Sequence, residues 1–297
     1  LIEMIQVVIC GNLNVIEGSC ALINSILVNS ENEIRINIVT EYVNEYKEGI
    51  NQWCDSTEVV RIINPNDIDL EDLSNNIYFR DVEEFGAPMK PNNIYNFIRF
   101  YLPQLLPDVD RVISLDTDII VQGDLKDLYN ILPHNYNIGG IFCESLTFKN
   151  QQFNEDFLDK NNINKNDKMF NGGVYVTNLQ WWRDNQYTEK CITLMKEQKK
   201  YKDLYNGGHQ SIMNTIFYNL VYDIDIHWNV SGLGEPEVDV NSLHPDMGPE
   251  HQYKYLIPKA NILHWTGNFK PWTMKRGSGR RYCDVWWDYL YYYKERR

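Results

Sequence analysis

The chain is short of positive charge. Lys and Arg number 28 against 41 Asp and Glu, a formal net charge of −13 over 297 residues. Proteins that follow the phosphate backbone of nucleic acid are basic, so no nucleic-acid partner is expected. Also missing is any apolar run of about eighteen residues, which excludes a membrane-spanning helix as a sequence reading. No Cys-x-x-Cys pair occurs among Cys10, Cys20, Cys54, Cys143, Cys191 and Cys283. That spacing excludes a metal knuckle and argues against a disulfide framework in a chain this large. The cysteines read as small core hydrophobes in a reducing compartment, with a paired subset as the alternative. A cytoplasmic location is the expectation. The chain starts at Leu1 without a methionine, so a removed signal, anchor or further domain, and with it a Golgi lumen, is the other. No internal repeat is present.

What is present is a globular composition, 43% hydrophobic, 13% aromatic and 23% charged. The length suits one large α/β domain or two small ones. The charge is unevenly spread. Residues 270–297 carry Lys270, Lys275, Arg276, Arg280, Arg281, Lys294, Arg296 and Arg297 against Asp284, Asp288 and Glu295, a net +5 that leaves −18 on residues 1–269. A basic end on an acidic body suggests a local anion site or attraction to an anionic surface; a solvated tail is the plain alternative.

Strands and helices alternate through the first third. Residues 5–10 form an apolar run broken at Gly11-Asn12, and residues 19–28 place Leu22, Ile23, Ile26 and Leu27 at helical spacing. Residues 34–39 alternate, 41–53 are predicted helical, and 59–63 form a third strand ending at Asn64-Pro65. This βαβαβ order implies a parallel, doubly wound sheet that binds ligands at its carboxyl edge, where Cys10-Gly11-Asn12 lies. Residues 71–91 read as a mobile loop, and 92–102 as a helix with Ile94, Phe97, Ile98 and Tyr101 on one face, closed by Pro103 and Pro107. Residues 111–115 are a short strand, and Asp124 is placed to cap a turn of helix. Residues 144–168 resemble an inserted surface loop more than core. Residues 170–177 are a strand, 181–199 and 210–220 helices, and 261–265 a last short strand.

The apolar strand Val112-Ile113-Ser114-Leu115 delivers Asp116 and Asp118 to its carboxyl end, one residue apart. Two hard oxygen ligands there suit Mg²⁺ or Mn²⁺; a turn or helix cap is the competing reading of any Asp-x-Asp. In His264-Trp265-Thr266-Gly267-Asn268-Phe269-Lys270-Pro271-Trp272, a neutral imidazole could complete that site, Gly267 permits close backbone approach, and Lys270 offers a point charge to phosphate. Alone, His264 would read as a hydrogen-bonded core histidine. A sequon, Asn229-Val230-Ser231, is either structural or glycosylated.

In these motifs the sequence resembles the glycosyltransferase family 8 enzymes, along nearly the whole chain. The resemblance rests on residues 115–121 with Gly123-Asp124-Leu125, on Phe170-Asn171-Gly172-Gly173-Val174, on Gly208-His209-Gln210 and on His264-x-x-Gly267-x-x-Lys270-Pro271-Trp272. Trp228-Asn229-Val230-Ser231-Gly232-Leu233-Gly234 is similar to eukaryotic members. The resemblance implies a GT-A fold: a single Rossmann-like doubly wound mixed sheet over residues 1–274, with a basic, aromatic C-terminal helical extension over 275–297. It implies retaining transfer of a hexose, glucose or galactose, from a UDP-sugar to a glycan, lipid-linked or protein acceptor. The implied Mn²⁺ ligands are Asp116, Asp118 and His264. Lys270 and Gly267 match diphosphate contacts, Thr117 a ribose contact, and Arg99 an arginine near the diphosphate and donor sugar, against a surface ion pair. Asn171 matches a donor-sugar contact, Gly172 and Gly173 would let the strand pass close to the sugar, and Gln210 matches a residue beside the anomeric carbon.

The family pattern is broken in two places. The first loop usually carries an Asp and a Tyr for uracil; here Asn12 can still hydrogen-bond the base edge, but Val15 cannot stack on it. His209 stands where many bacterial members carry an Asp that holds donor-sugar hydroxyls, which bears on donor identity. The altered loop favours the competing reading of a catalytically silent sugar-nucleotide-binding or scaffold protein. A nucleotidyltransferase is disfavoured, because residues 10–14 lack the basic, Gly-rich loop it needs. At the C-terminus, Trp286, Tyr289, Leu290 and Tyr293 recur at helical spacing and are expected to pack. Trp287 and Tyr291 are the candidates for a glycan or peripheral membrane contact.

Overall fold

The apolar run near the start of the chain forms β1 (Ile5–Cys10). Successive residues face opposite ways, so Val7 and Ile9 join one core while Val8 and Cys10 join another. A strand buried on both sides reads as continuous rather than alternating, as this one does. The computed structural model describes residues 4–55, 57–78, 94–201, 204–205, 208–234, 256–267, 269–277 and 282–295.

The remaining strands are β2 (Ile34–Val39), β3 (Val60–Ile63), β4 (Arg111–Leu115), β5 (Ile119–Val121), β6 (Ile138–Thr147), β7 (Lys168–Asn178), β8 (Val221–Asp223) and β9 (Ile262–His264). Seven make one sheet in the order β3-β2-β1-β4-β7-β6-β8, and β5 pairs with β9 in a small antiparallel ribbon. The β1–β4 half is parallel, as the βαβαβ pattern predicts. β7 runs antiparallel to both its neighbours, β4 and β6. This reversal brings the start of β7, with Asn171-Gly172-Gly173, to the edge where β1 and β4 end. Asp116 N–H closes the junction by donating to the Gly173 carbonyl at 2.8 Å.

Helix Ile16–Asn29 covers one face, and the C-terminal helix Cys283–Tyr291 packs on it. Trp286 and Leu290 are fully buried there, and Asn24 Nδ2 donates to the Tyr289 carbonyl at 3.0 Å. Tyr289 itself is partly buried, with its hydroxyl taking a hydrogen bond from Asn29 Nδ2 at 2.9 Å. Trp287 and Tyr291 stack on each other at 5.8 Å, and Tyr291 meets Trp53 edge-on. Arg276 is paired with Asp288 and Glu295, and Lys294 lies over the Trp53 ring at 3.6 Å. Arg280, Arg281, Arg296 and Arg297 lie outside the described residues. No helix among the described residues is long and apolar enough to cross a membrane.

Four expectations change. Residues 144–168 are not simply a surface loop: β6 runs through to Thr147, Asn154 caps a helix Glu155–Lys160, and Phe148, Phe153, Leu158 and Ile163 are buried. Those four recur every five residues, a period that fits neither strand nor helix, so the sequence reads as polar loop. The helix expected over 181–199 is two, Leu179–Asp184 and Tyr187–Tyr201, divided where Gln186 takes φ 55°. The helix expected over 92–102 is Ile94–Ile98, a 3₁₀ turn Arg99–Tyr101 and a short helix Leu102–Leu105. Pro103 opens that last helix instead of ending one. In the expected mobile loop, Leu70–Asn76 is helical with Asp69 as its cap. Residues 79–91, with Gly86, Pro88 and Pro91, lie outside the described residues, as do Asn92 and Asn93.

The six cysteines are buried, and no disulfide joins any of them. Asn229 is fully buried, so the sequon is a structural feature of the folded chain and offers no room for a glycan.

Candidate active site

Four segments meet at the carboxyl edge of the sheet. β4 ends in Asp116-Thr117-Asp118, β9 ends in His264, β7 begins beside them, and the helix His209–Ile216 points its first turn at Gly172. One ligand atom each from Asp116, Asp118 and His264 lie within 4.8 Å of one another. His264 Nε2 is 3.1 Å from Asp118 Oδ1 and 3.7 Å from Asp116 Oδ2.

The imidazole is almost wholly buried, and its other nitrogen, Nδ1, is 2.8 Å from Asn229 Oδ1. An amide oxygen can only accept, so Nδ1 carries a proton, and the neutral ring then presents the Nε2 lone pair toward two carboxylates. Nε2 has no hydrogen-bond partner among the described residues. A buried lone pair facing two anionic oxygens is costly unless a cation joins them. The donor set therefore fits a divalent metal ion.

The carboxylates are already balanced from behind and from the side. Arg99 is 1% exposed, pairs with Asp116 through Nη2, and donates from Nη1 to the Gly172 carbonyl at 2.8 Å. It is thus no surface ion pair, and it stands beneath Asp116 as a support for that carboxylate and for β7. Lys270 Nζ donates to Asp118 Oδ2 at 2.5 Å and to the Trp265 carbonyl at 2.7 Å. Burial raises the Asp118 pKa, but Lys270 and His264 together, through charge and hydrogen bonding, outweigh it and hold the carboxyl well below the usual carboxylate range.

Glycine makes room where β7 crosses the site. A Cβ at Gly173 would stand 2.4 Å from His264 Cε1 and 2.6 Å from Asp116 Oδ2; one at Gly172 would meet His209 Nε2 at 2.8 Å. Asn171 Oδ1 accepts from Gly173 N–H at 2.9 Å and from Asn229 Nδ2 at 3.0 Å. Gln210 Oε1 accepts from Gly172 N–H at 2.8 Å, which orients its amide along the strand. His209 is edge-on to Phe97 with Nε2 unpartnered among the described residues. Burial, with the Arg99 charge second, pushes its pKa down to about 4, so it stands neutral.

The other expected contacts lie around this centre. Thr117 is partly exposed at the turn between β4 and β5, and its carbonyl packs so near Gly18 that a Cβ there would come within 2.6 Å. Gly267 takes φ 103°, a conformation open to glycine and few others. Its loop is held by the 232–234 segment: Gly232 N–H donates to Thr266 Oγ1 at 2.7 Å and Gly234 N–H to the Thr266 carbonyl at 3.0 Å. Asn12 is more remote in role. Its Oδ1 caps the 3₁₀ turn Leu13–Val15 through Asn14 N–H at 2.9 Å, so that oxygen is partly engaged locally. Sequence reasoning missed Asn229 as a site residue; its only signal was its place in the 228–234 motif.

The sequence model of the glycosyl transferase family 8 matches residues 6–276. A glycosyltransferase 8 domain-containing protein 1 from Xenopus laevis is 32% identical over 305 residues, spanning 96% of this chain and 78% of its own. Its human counterpart is 30% identical, over 96% and 76%. Among solved structures, the galactosyltransferase LgtC, crystallised with donor and acceptor sugar analogues, superposes with a TM-score of 0.69 at 19% identity, covering 96% of this chain and 95% of that one. The apo bifunctional glycosyltransferase WbbM gives 0.71 at 20% identity, covering 98% of this chain and half of that one. The fold is that of these neighbours, the GT-A arrangement.

Proposed function

The chain belongs to glycosyl transferase family 8, and we propose that it moves a hexose, glucose or galactose, from a UDP-sugar to an acceptor hydroxyl with retention at the anomeric carbon. The observation that carries this reading is the buried, unpartnered His264 Nε2 facing Asp116 and Asp118. One imidazole with two carboxylates suits Mn²⁺, with Mg²⁺ as the harder alternative. When bound by these three residues, the ion would supply charge stabilisation to the departing diphosphate.

The chain's own residues do the rest. Asn171, Gly172 and Gly173 give a strand edge thin enough for a sugar to lie against, and Gln210 stands beside it with its amide already oriented. Lys270, a quarter exposed and paired with Asp118, is placed to exchange that carboxylate for a phosphate oxygen. In the proposed step, the bond from the anomeric carbon to the diphosphate oxygen breaks as the bond to the acceptor oxygen forms on the same face. The acceptor proton passes to the leaving phosphate oxygen, so no protein base is consumed.

The insertion and the helix Tyr187–Tyr201 border a groove of 680 Å³ that reaches Thr215 and Ile216. These lie at the far end of the helix that begins at His209, roughly 9 Å along its axis from Gln210. An acceptor touching both places would be an oligosaccharide rather than one sugar.

The test is a panel of UDP-sugars with Mn²⁺, scored for UDP release and for a rise in melting temperature. The reading expects one hexose donor to do both. A melting shift with no UDP release from any donor would favour the silent, sugar-nucleotide-binding alternative that the altered first loop suggests.

A further inference from the structure

We infer that Asn229 is a positioning residue that sets the tautomer of His264 and ties that ring to the side chain of Asn171. The inference rests on reading Asp116, Asp118 and His264 as a metal site.

A backbone N–H can only donate, and that of Gly173 faces Asn171. It donates to the Asn171 side chain at 2.9 Å, so the atom it meets is the amide oxygen. That oxygen also lies 3.0 Å from Asn229, so the Asn229 atom facing it must be the NH₂ group. The Asn229 oxygen is then left to face His264 Nδ1 at 2.8 Å, and it can only accept. Nδ1 must carry a proton, and in the neutral ring that leaves the Nε2 lone pair turned to Asp116 and Asp118. A single backbone donor on β7 thus determines, through two amides, which nitrogen of a histidine on β9 is free.

Burial makes the relay rigid. Asn229 is 0% exposed and His264 1%, so no water competes for either amide atom. The backbone of residue 229 is fixed too, since its N–H donates to the Ile226 carbonyl at 2.9 Å and the next N–H, of Val230, to the Ile262 carbonyl at 3.0 Å. Residues that orient a metal-binding histidine through its second nitrogen typically change metal affinity by about 10–100-fold when replaced.

Two substitutions separate the halves of the relay. Asn229→Asp keeps an acceptor for Nδ1–H but loses the donor to Asn171 Oδ1. Asn229→Ala loses both. The first readout is ¹⁵N NMR of the His264 ring in metal-free protein, above the ordinary histidine pKa range. The second is Mn²⁺ alone, titrated by the disappearance of the free-ion EPR signal.

We expect an Nδ1–H tautomer in the wild type and a tautomer mixture in Asn229→Ala, with Mn²⁺ affinity down at least about tenfold. Asn229→Asp should keep the Nδ1–H tautomer and near wild-type Mn²⁺ affinity. An Nε2–H tautomer in the wild type overturns the inference without any metal being needed. So does a folded Asn229→Asp that is as poor as Asn229→Ala. If the wild type holds the Nδ1–H tautomer, and Asn229→Ala loses it, but neither binds Mn²⁺, the positioning role stands and the metal reading fails. Should Asn229→Ala not fold, the Asn229→Asp spectrum and titration decide the matter.

Discussion

Asp116 and Gly173 share more than a hydrogen bond. The Asp116 N–H donates to the Gly173 carbonyl at 2.8 Å, and the missing side chain of residue 173 leaves the space that Asp116 Oδ2 and His264 Cε1 occupy. A methyl group here would meet a carboxylate held by Arg99 and a ring held by Asn229, neither with room to retreat.

Gly173→Ala is therefore expected to displace the two ligands rather than unfold the chain. A misplacement on this scale costs on the order of a hundredfold in turnover, against roughly 1–3 kcal/mol of stability for the added carbon. UDP release and a urea unfolding curve on the same preparation check the split.

Arg99 is expected to matter first for stability. Arg99→Met leaves Asp116 without its buried counter-charge and the Gly172 carbonyl without a donor, a loss of about 3 kcal/mol, at the low end for a broken buried pair because Asp116 is a quarter exposed. Arg99→Lys should recover only part of it, since one ammonium cannot reproduce the guanidinium fork across both acceptors. Urea midpoints of the three proteins give the order.

Lys270 competes for Asp118. Its removal in Lys270→Met should tighten binding of Mn²⁺ alone, because Asp118 Oδ2 loses an ammonium at 2.5 Å, while weakening UDP, which loses a phosphate partner. Calorimetry with each ligand separately tests for these opposite signs.

His209 gives a pH signature. Its folded pKa, about 4, lies below the unfolded value near 6.5, so between the two the unfolded chain binds a proton that the folded one does not. Stability should fall as pH drops through that window and gain nothing further from this group above it. His209→Gln should flatten the slope there, as read from melting temperatures across the range.

Much of the site could be read before the fold. The apolar strand before Asp116-Thr117-Asp118 and the histidine, glycine and lysine of the 264–272 segment are local patterns, and each motif lies where its element ends. What could not be read depends on pairing across long separations. The reversal of β7 brings Gly173 to Asp116, 57 positions away by number, and no periodicity encodes strand direction. Arg99 reads as a site residue from the resemblance, with a surface ion pair as the alternative, and its burial was not legible because it comes from the sheet it lies beneath. Asn229 looked like a sequon, since only contact with Asn171 and His264 gives it another role. The core residues Phe148, Phe153, Leu158 and Ile163 escaped for a different reason, their spacing matching no regular element.

The central claim is a sugar transfer that depends on Asp116, Asp118 and His264. Its most direct test is UDP release from UDP-glucose and UDP-galactose, by wild-type protein and by Asp116→Ala and Asp118→Ala, with Mn²⁺ and with chelator. The account predicts release by the wild type with the ion, and background in chelator and in both variants. Full turnover by either variant, or by the wild type in chelator, would contradict it.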